Sequence, residues 1–195
     1  MLIEYYLRNF GKEENSSEQA SALRNIILTD KPEPEVIAEF REFILSQDQL
    51  FPDTALLING AIMAHYGSEY MGLGRKDFQL KSDLYKQITD KFPGNYELMF
   101  QYADCRLMAD GRAEEIWPIL KAAMLLDKDN IRYPTSELFN LLHESEFSFE
   151  FDMLILEKYC PSLGKEAFDN SVNEFKEKYT SKAQRAYLDN IQWKG

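Results

Sequence analysis

Glycine and proline are scarce in this chain, 9 and 7 among 195 residues. Long periodic stretches with so little punctuation argue for helices and against a many-stranded sheet protein. Cysteine is scarcer still. Cys105 and Cys160 stand alone, so they make no disulfide framework, and isolated thiols are ordinary buried residues in reducing compartments. Histidine occurs twice, at His65 and His143. There is no His-Glu-x-x-His pair and no Cys/His spacing suited to zinc, so neither a metal nor a cofactor is expected. No run of about 18 apolar residues is present, which leaves nothing to span a membrane. The first residues, Met-Leu-Ile-Glu-Tyr-Tyr-Leu-Arg, lack a basic segment followed by an apolar one. No secretory signal is expected, and the cytoplasm is the default location.

Basic charge is also in deficit. Lys and Arg number 22 against 33 Asp and Glu, a formal net charge of −11. Nucleic acid and anionic membrane surfaces are poor partners for such a chain, because both need clustered cations. The acidic excess suits either plain solubility or a basic protein partner. It is uneven: residues 131–164 hold 6 acids and 2 bases, whereas residues 165–195 hold 5 and 6. What the chain does have is core material. Hydrophobic residues make up 45% and aromatics 13%, too much for a disordered protein. The length fits one domain with a sizeable core.

Apolar residues recur at helical spacing along most of the chain. Residues 1–10 read as a short helix or an extended arm. Ser16, with Gln19 three residues on, marks a capping box ahead of Ala20, Leu23, Ile26 and Ile27. A second helix carries Val36, Ile37, Phe40, Phe43 and Ile44, and a third, apolar on nearly all sides, spans about 54–65. Residues 67–78 read as a long loop before a fourth helix with Leu80, Leu84, Tyr85 and Ile88. Asn95 caps a fifth helix, Asp110-Gly111 makes a tight turn, and a sixth presents Ile116, Trp117, Leu120, Ala123 and Met124. Pro118 costs little in a first turn and kinks a helix deeper in. Four more helices fill 135–193, one of them capped by Ser181 with Gln184. The stretch Phe147-Ser-Phe149-Glu-Phe151 alternates with period two. With no partner strand it reads as a turn leading into the next helix. The expectation is an all-α chain of about ten helices in antiparallel hairpins, one domain over 1–195 with repeat pairs in 17–130 and a helical cap in 131–195.

The helix stops at Pro52, Pro93 and Lys128 are 41 and 35 residues apart, a period suited to a helical solenoid. Within 97–130, Phe100 is an early aromatic, Ala103 and Ala123 are small helix-packing residues, and Gly111 lies at the interhelical turn. Leu126-Asp-Lys-Asp-Asn130 closes the unit. On these positions the segment resembles the tetratricopeptide repeat, with Leu107 in place of the usual Tyr and Lys128 in place of the usual Pro. Residues 53–95 resemble an expanded copy, and 17–52 a degenerate one in which Gln47 replaces a small residue. The resemblance implies a right-handed α-α superhelix whose first helices line a concave groove. That groove would hold Leu57, Ala61, Ala64 and His65 from one copy, and Leu98, Gln101, Tyr102, Cys105 and Met108 from the next. The other reading buries these residues as core.

A second candidate surface is the acidic, aromatic run His143, Glu144, Glu146, Phe147, Phe149, Glu150, Phe151 and Asp152. The Phe side chains would anchor a partner while the carboxylates meet its basic groups. The alternative is a turn with every Phe pointing inward. Catalytic signals are sparse. Glu114-Glu115 suits a helix N-terminus. A dyad between Cys105 and a histidine stays open beside a buried structural thiol. Gly72-Leu-Gly74-Arg75-Lys76 lacks the trailing Gly-Lys-Ser/Thr of a phosphate loop, so this loop reads as a partner contact or as decoration. A non-catalytic protein-binding role is therefore expected. A small, acidic helical chain resembles toxin-immunity proteins, which implies that it binds and blocks a basic toxin such as a nuclease. The alternative is an adaptor or secretion chaperone that grips a peptide in its groove.

Overall fold

Every regular element is a helix in the computed structural model, which describes residues 18–27, 33–50, 58, 75–129 and 132–193. The all-α expectation holds there: no strand occurs among the described residues. The chain divides into two compact units, one ending at Leu126 and the other beginning at Asp127.

The first unit contains α1 (Glu18–Ile27), α2 (Glu33–Ser46), α3 (Arg75–Lys91), α4 (Tyr96–Met108) and α5 (Ala113–Leu126). Leu23, Phe40, Ile44, Ile58, Leu84, Tyr85, Ile88, Phe92, Leu98 and Cys105 form one buried cluster. Burying such side chains stabilises by about 1.5–3 kcal/mol each. Apart from Ile58, the helix expected at 54–65 lies outside the described residues, as do the cap at Ser16 and most of the loop expected at 67–78. Gln19 is buried, and its amide donates to Gln47 Oε1 (3.1 Å) and to the Gln49 carbonyl (2.7 Å). That amide ties α1 to the end of α2. Gln47 thus holds a cross-helix bond where the repeat pattern wants a small residue.

α3 starts at Arg75, about a turn earlier than the apolar pattern predicts. Its inward stripe is Phe78, Lys81, Ser82, Tyr85 and Ile88, spaced three and four apart. Leu80, expected on that face, falls off the stripe and is 53% exposed. Lys81 is fully buried, with its ammonium 5.2 Å from the centre of the Phe78 ring, a cation–π contact.

The turns between α3, α4 and α5 are specified locally. Asn95 Oδ1 accepts from the Leu98 amide at 3.1 Å, capping α4. At the other end of α4, Asp110 N–H donates to the Leu107 carbonyl and Gly111 N–H to the Arg106 carbonyl. This is a Schellman closure, whose left-handed position usually carries glycine. Here Asp110 takes it, at φ 64°. Gly111 is needed for a different reason: a β-carbon there would sit 2.6 Å from the Arg106 carbonyl oxygen. α5 then begins with Glu115 Oε2 accepting the Arg112 amide at 3.1 Å. Glu115 also pairs with Arg106 at 2.9 Å. Pro118 is exposed at the sixth position of α5, so the carbonyl it leaves unbonded lies on the solvent side. Ile116, Trp117, Leu120, Ala123 and Met124 are all buried.

The second unit holds α6 (Ser136–His143), α7 (Ser148–Lys158), a 3-10 turn (Cys160–Leu163), α8 (Lys165–Lys178) and α9 (Lys182–Asn190). Met153, Leu156, Cys160, Phe168, Val172, Tyr179 and Leu188 form its core. Gly164 carries the 3-10 turn into α8 at φ 94°, ψ 165°, a conformation that only glycine adopts readily. Ser181 Oγ accepts from the Gln184 amide and caps α9. The stretch expected as a turn, 147–151, is instead helical from Ser148 onward. Two residues along a helix span about 200°, so Phe149 and Phe151 point to different neighbours. Phe151 meets Phe139, and Phe149 meets Tyr179 and Tyr187. The last helix stops at Asn190, short of Trp193, whose indole N–H donates to the Pro161 carbonyl at 3.3 Å.

Candidate functional site

The residues proposed for a groove separate by burial. Leu98 is fully enclosed and Cys105 is 5% exposed, both within the core cluster of the first unit. They are held inside by packing and offer no face to a partner. Burial also pushes the Cys105 thiol up to about 12, which disfavours the reactive thiolate. Gln101 and Tyr102 are half-buried, and Met108 is 41% exposed. Of the groove candidates on α4, these three reach the surface. Burial raises the Tyr102 phenol above its ordinary value, partly offset by Lys86 and Arg106. Leu57, Ala61, Ala64 and His65 lie outside the described residues.

The acidic, aromatic run at 143–152 divides more sharply. Asp152 sits on α7 between Phe151 and Met153, with its side chain at 0% exposure. A bare carboxylate there would be costly, and the chain surrounds it with donors. Oδ1 accepts from His143 Nδ1 at 2.8 Å on α6. Oδ2 accepts from Lys178 Nζ at 2.9 Å and from the Tyr179 hydroxyl at 2.6 Å, at the end of α8. Lys178 also donates to the His143 carbonyl at 2.8 Å. The His143 ring stacks on Phe139, with centroids 5.4 Å apart. Burial, and then the bond to Asp152, push the Tyr179 phenol well above its ordinary range, so it remains a donor.

An aspartate on Nδ1 is the orienting half of a histidine-based catalytic arrangement. The reacting half would need a nucleophile at Nε2. Among the described residues no such nucleophile meets the ring, and the Lys178 ammonium lies 3.0 Å from both of its nitrogens. The cluster therefore works as a charge clamp joining α6, α7 and α8. His143 and Asp152, both expected to meet a partner, are spent on it. Phe149 is half-buried against Tyr179 and Tyr187. Glu144, Glu146 and Glu150 are the members that stay exposed.

Lys178 and Tyr179 were not legible as part of this site. They lie 26 and 27 residues beyond Asp152 in the chain. The available signal was Asp152 itself, a charge inside the apolar run Phe151–Leu156. Among the described residues, no group of three His, Cys, Asp or Glu is placed to hold a metal ion, and no helix is long and apolar enough to cross a membrane. No protein-family model, curated protein or solved structure matches the chain.

Proposed function

We propose that this chain is a non-catalytic protein-binding protein, an immunity-type inhibitor whose acidic surface engages a basic partner such as a toxic nuclease. One observation carries the reading. At the α6–α7 turn the clamp takes Asp152 and His143, while Glu144, Glu146 and Glu150 remain on the surface. A turn of this kind presents several carboxylates together, and that steers a cationic partner. The tetratricopeptide-like scaffold belongs to the same proposal. Its support is local: Phe100, Ala103 and Ala123 are buried, and Gly111 packs against the Arg106 backbone. A second reading, peptide capture by α4, draws on the outward positions of Gln101, Tyr102 and Met108.

The test begins with capture of partners from the source cell and identification by mass spectrometry, followed by measured affinity for the purified partner. The expected partner is basic. Raising salt from about 0.1 to 1 M, which cuts the screening length from about 10 to 3 Å, should weaken binding at least tenfold. The double variant Glu144→Lys, Glu146→Lys should do the same, and Tyr102→Ala should leave affinity within about twofold. Affinity indifferent to salt and to the charge reversal overturns the acidic-surface reading. Loss on Tyr102→Ala alone favours the α4 surface.

A further inference from the structure

We propose that the cleft between the end of α7, the 3-10 turn and α9 is a binding site for an organic cation, a primary ammonium carried on an apolar stem. The cleft has a volume of about 450 Å³, within the usual range for small-molecule sites, roughly 300–1,000 Å³. Its walls are apolar. Phe168 forms a buried floor, and Pro161, Ile191 and the Tyr187 ring close the sides. The Trp193 indole bonded to the Pro161 carbonyl fastens the segment after α9 across one wall. Edge-on contact with Phe149, centroids 5.9 Å apart, fixes the Tyr187 ring.

The polar groups of this cleft point to a donor ligand of positive charge. Glu157 is the one charged residue in the lining, and no lysine or arginine lines it. Among the described residues Glu157 meets no basic side chain. Three cations of this unit are engaged elsewhere: Lys158 donates to the Asp127 carbonyl at 2.8 Å, Lys165 pairs with Asp169 and Lys176 with Asp189. Two donors of the cleft are spent internally, while the exposed Gln192 amide, also in the lining, can donate or accept. The Tyr187 hydroxyl donates to Glu157 Oε1, and Asn190 Nδ2 to the Ala186 carbonyl at 2.6 Å. Glu157 Oε2 and Asn190 Oδ1 are left as acceptors. The bond to Glu157 pushes the Tyr187 phenol up to about 12, so Tyr187 keeps its proton and holds the carboxylate in place. An anion entering here would meet the like charge of Glu157. A neutral apolar molecule would bring Glu157 no opposite charge. An ammonium on an apolar stem answers both, with the Tyr187 face adding a cation–π contact.

This site is separate from the acidic turn between α6 and α7, and its test reads independently of any toxin partner. The probes are 2-phenylethylamine, 2-phenylethanol and 3-phenylpropionate, titrated into the full-length ¹⁵N-labelled protein. The expected result is saturable shifts of the amides of residues 157–160 and 186–192 with the amine. Binding of the alcohol and the carboxylate should be at least tenfold weaker. Glu157→Gln should weaken the amine at least tenfold, and Tyr187→Phe should weaken it several-fold. Glu157 and Tyr187 are both exposed, so these variants keep the fold, which their unperturbed distant amides will verify. A blocked peptide, acetyl-Leu-Lys-Leu-amide, separates the sources of the cation. Tighter binding than the free amine assigns the site to a lysine of a partner protein, and weaker binding assigns it to a free amine. Equal binding of amine and alcohol, or an amine affinity unchanged by Glu157→Gln, overturns the proposal.

Discussion

Lys178 holds its ammonium 2.9 Å from Asp152 Oδ2, pairing a carboxylate at 0% exposure with a cation whose side chain is 31% exposed. The asymmetry gives each partner a different cost of removal. Lys178→Met leaves a buried carboxylate with His143 and Tyr179 as its remaining donors, and should destabilise the protein by about 3 kcal/mol, in the range for a broken buried pair. Asp152→Asn frees Lys178 to reach solvent. Combining the two changes should cost less than the sum of the singles. Urea midpoints for the four proteins decide this; strict additivity would mean that the pair is not coupled.

The α4–α5 turn gives a position-swap test. Gly111→Ala places a β-carbon 2.6 Å from the Arg106 carbonyl oxygen, and the backbone must shift. A loss of about 2 kcal/mol is expected, as for other overpacked sites. Asp110→Gly removes the left-handed strain at φ 64° but adds freedom to the unfolded chain. It also deletes an exposed ion pair with Arg75, which contributes little. Its stability should stay within about 1 kcal/mol of the parent. Thermal unfolding of both variants measures the contrast.

Cys105 should be silent toward thiol reagents. Burial raises its thiol to about 12, and the reactive species is the thiolate. With a chromogenic disulfide at pH 8, native protein should leave Cys105 unmodified over hours, and denaturant should expose both thiols at once. Peptide mapping of the labelled sites assigns the signal. Rapid native labelling of Cys105 would show that the first unit's core opens easily.

Glu115 makes an acid-sensitive contribution. The hydrogen bond from the Arg112 amide, and after it the Arg106 guanidinium, hold its carboxyl below the ordinary glutamate value. The folded state therefore binds the proton less readily than the unfolded chain. The stabilisation is complete above the unfolded value and fades as pH falls through the lower folded one. The gap in urea midpoint between the parent and Glu115→Gln should be widest near neutral pH and close between about pH 5 and pH 3. A gap constant across that window would contradict the assignment.

Much of the helical layout was legible because it is local. Asn95 and Ser181 cap their helices through their own side chains, and the α5 stripe from Ile116 to Met124 follows helical spacing without interruption. The failures came where a local signal was ambiguous. Leu80 looked like a core residue because it stands one turn before the buried Leu84, and helical spacing alone does not tell how far along that side the core extends. The alternation at 147–151 imitated a strand because two aromatic side chains had to reach different neighbours from one helix. The candidate surface at 143–152 was legible as a cluster of acids and aromatics. Which acids stay in solvent was not.

By itself the sequence determined that this is a helical protein rich in apolar side chains and acidic in balance. Periodicity, capping residues and charge are properties of neighbours along the chain. Only the tertiary structure decided the fate of each charge. It buried Asp152 against His143, Lys178 and Tyr179, and left Glu157 facing a cleft with its Tyr187 partner 30 residues away. Those outcomes depend on groups distant in sequence arriving within hydrogen-bond reach, where desolvation fixes which charges must be paired and which remain for a ligand.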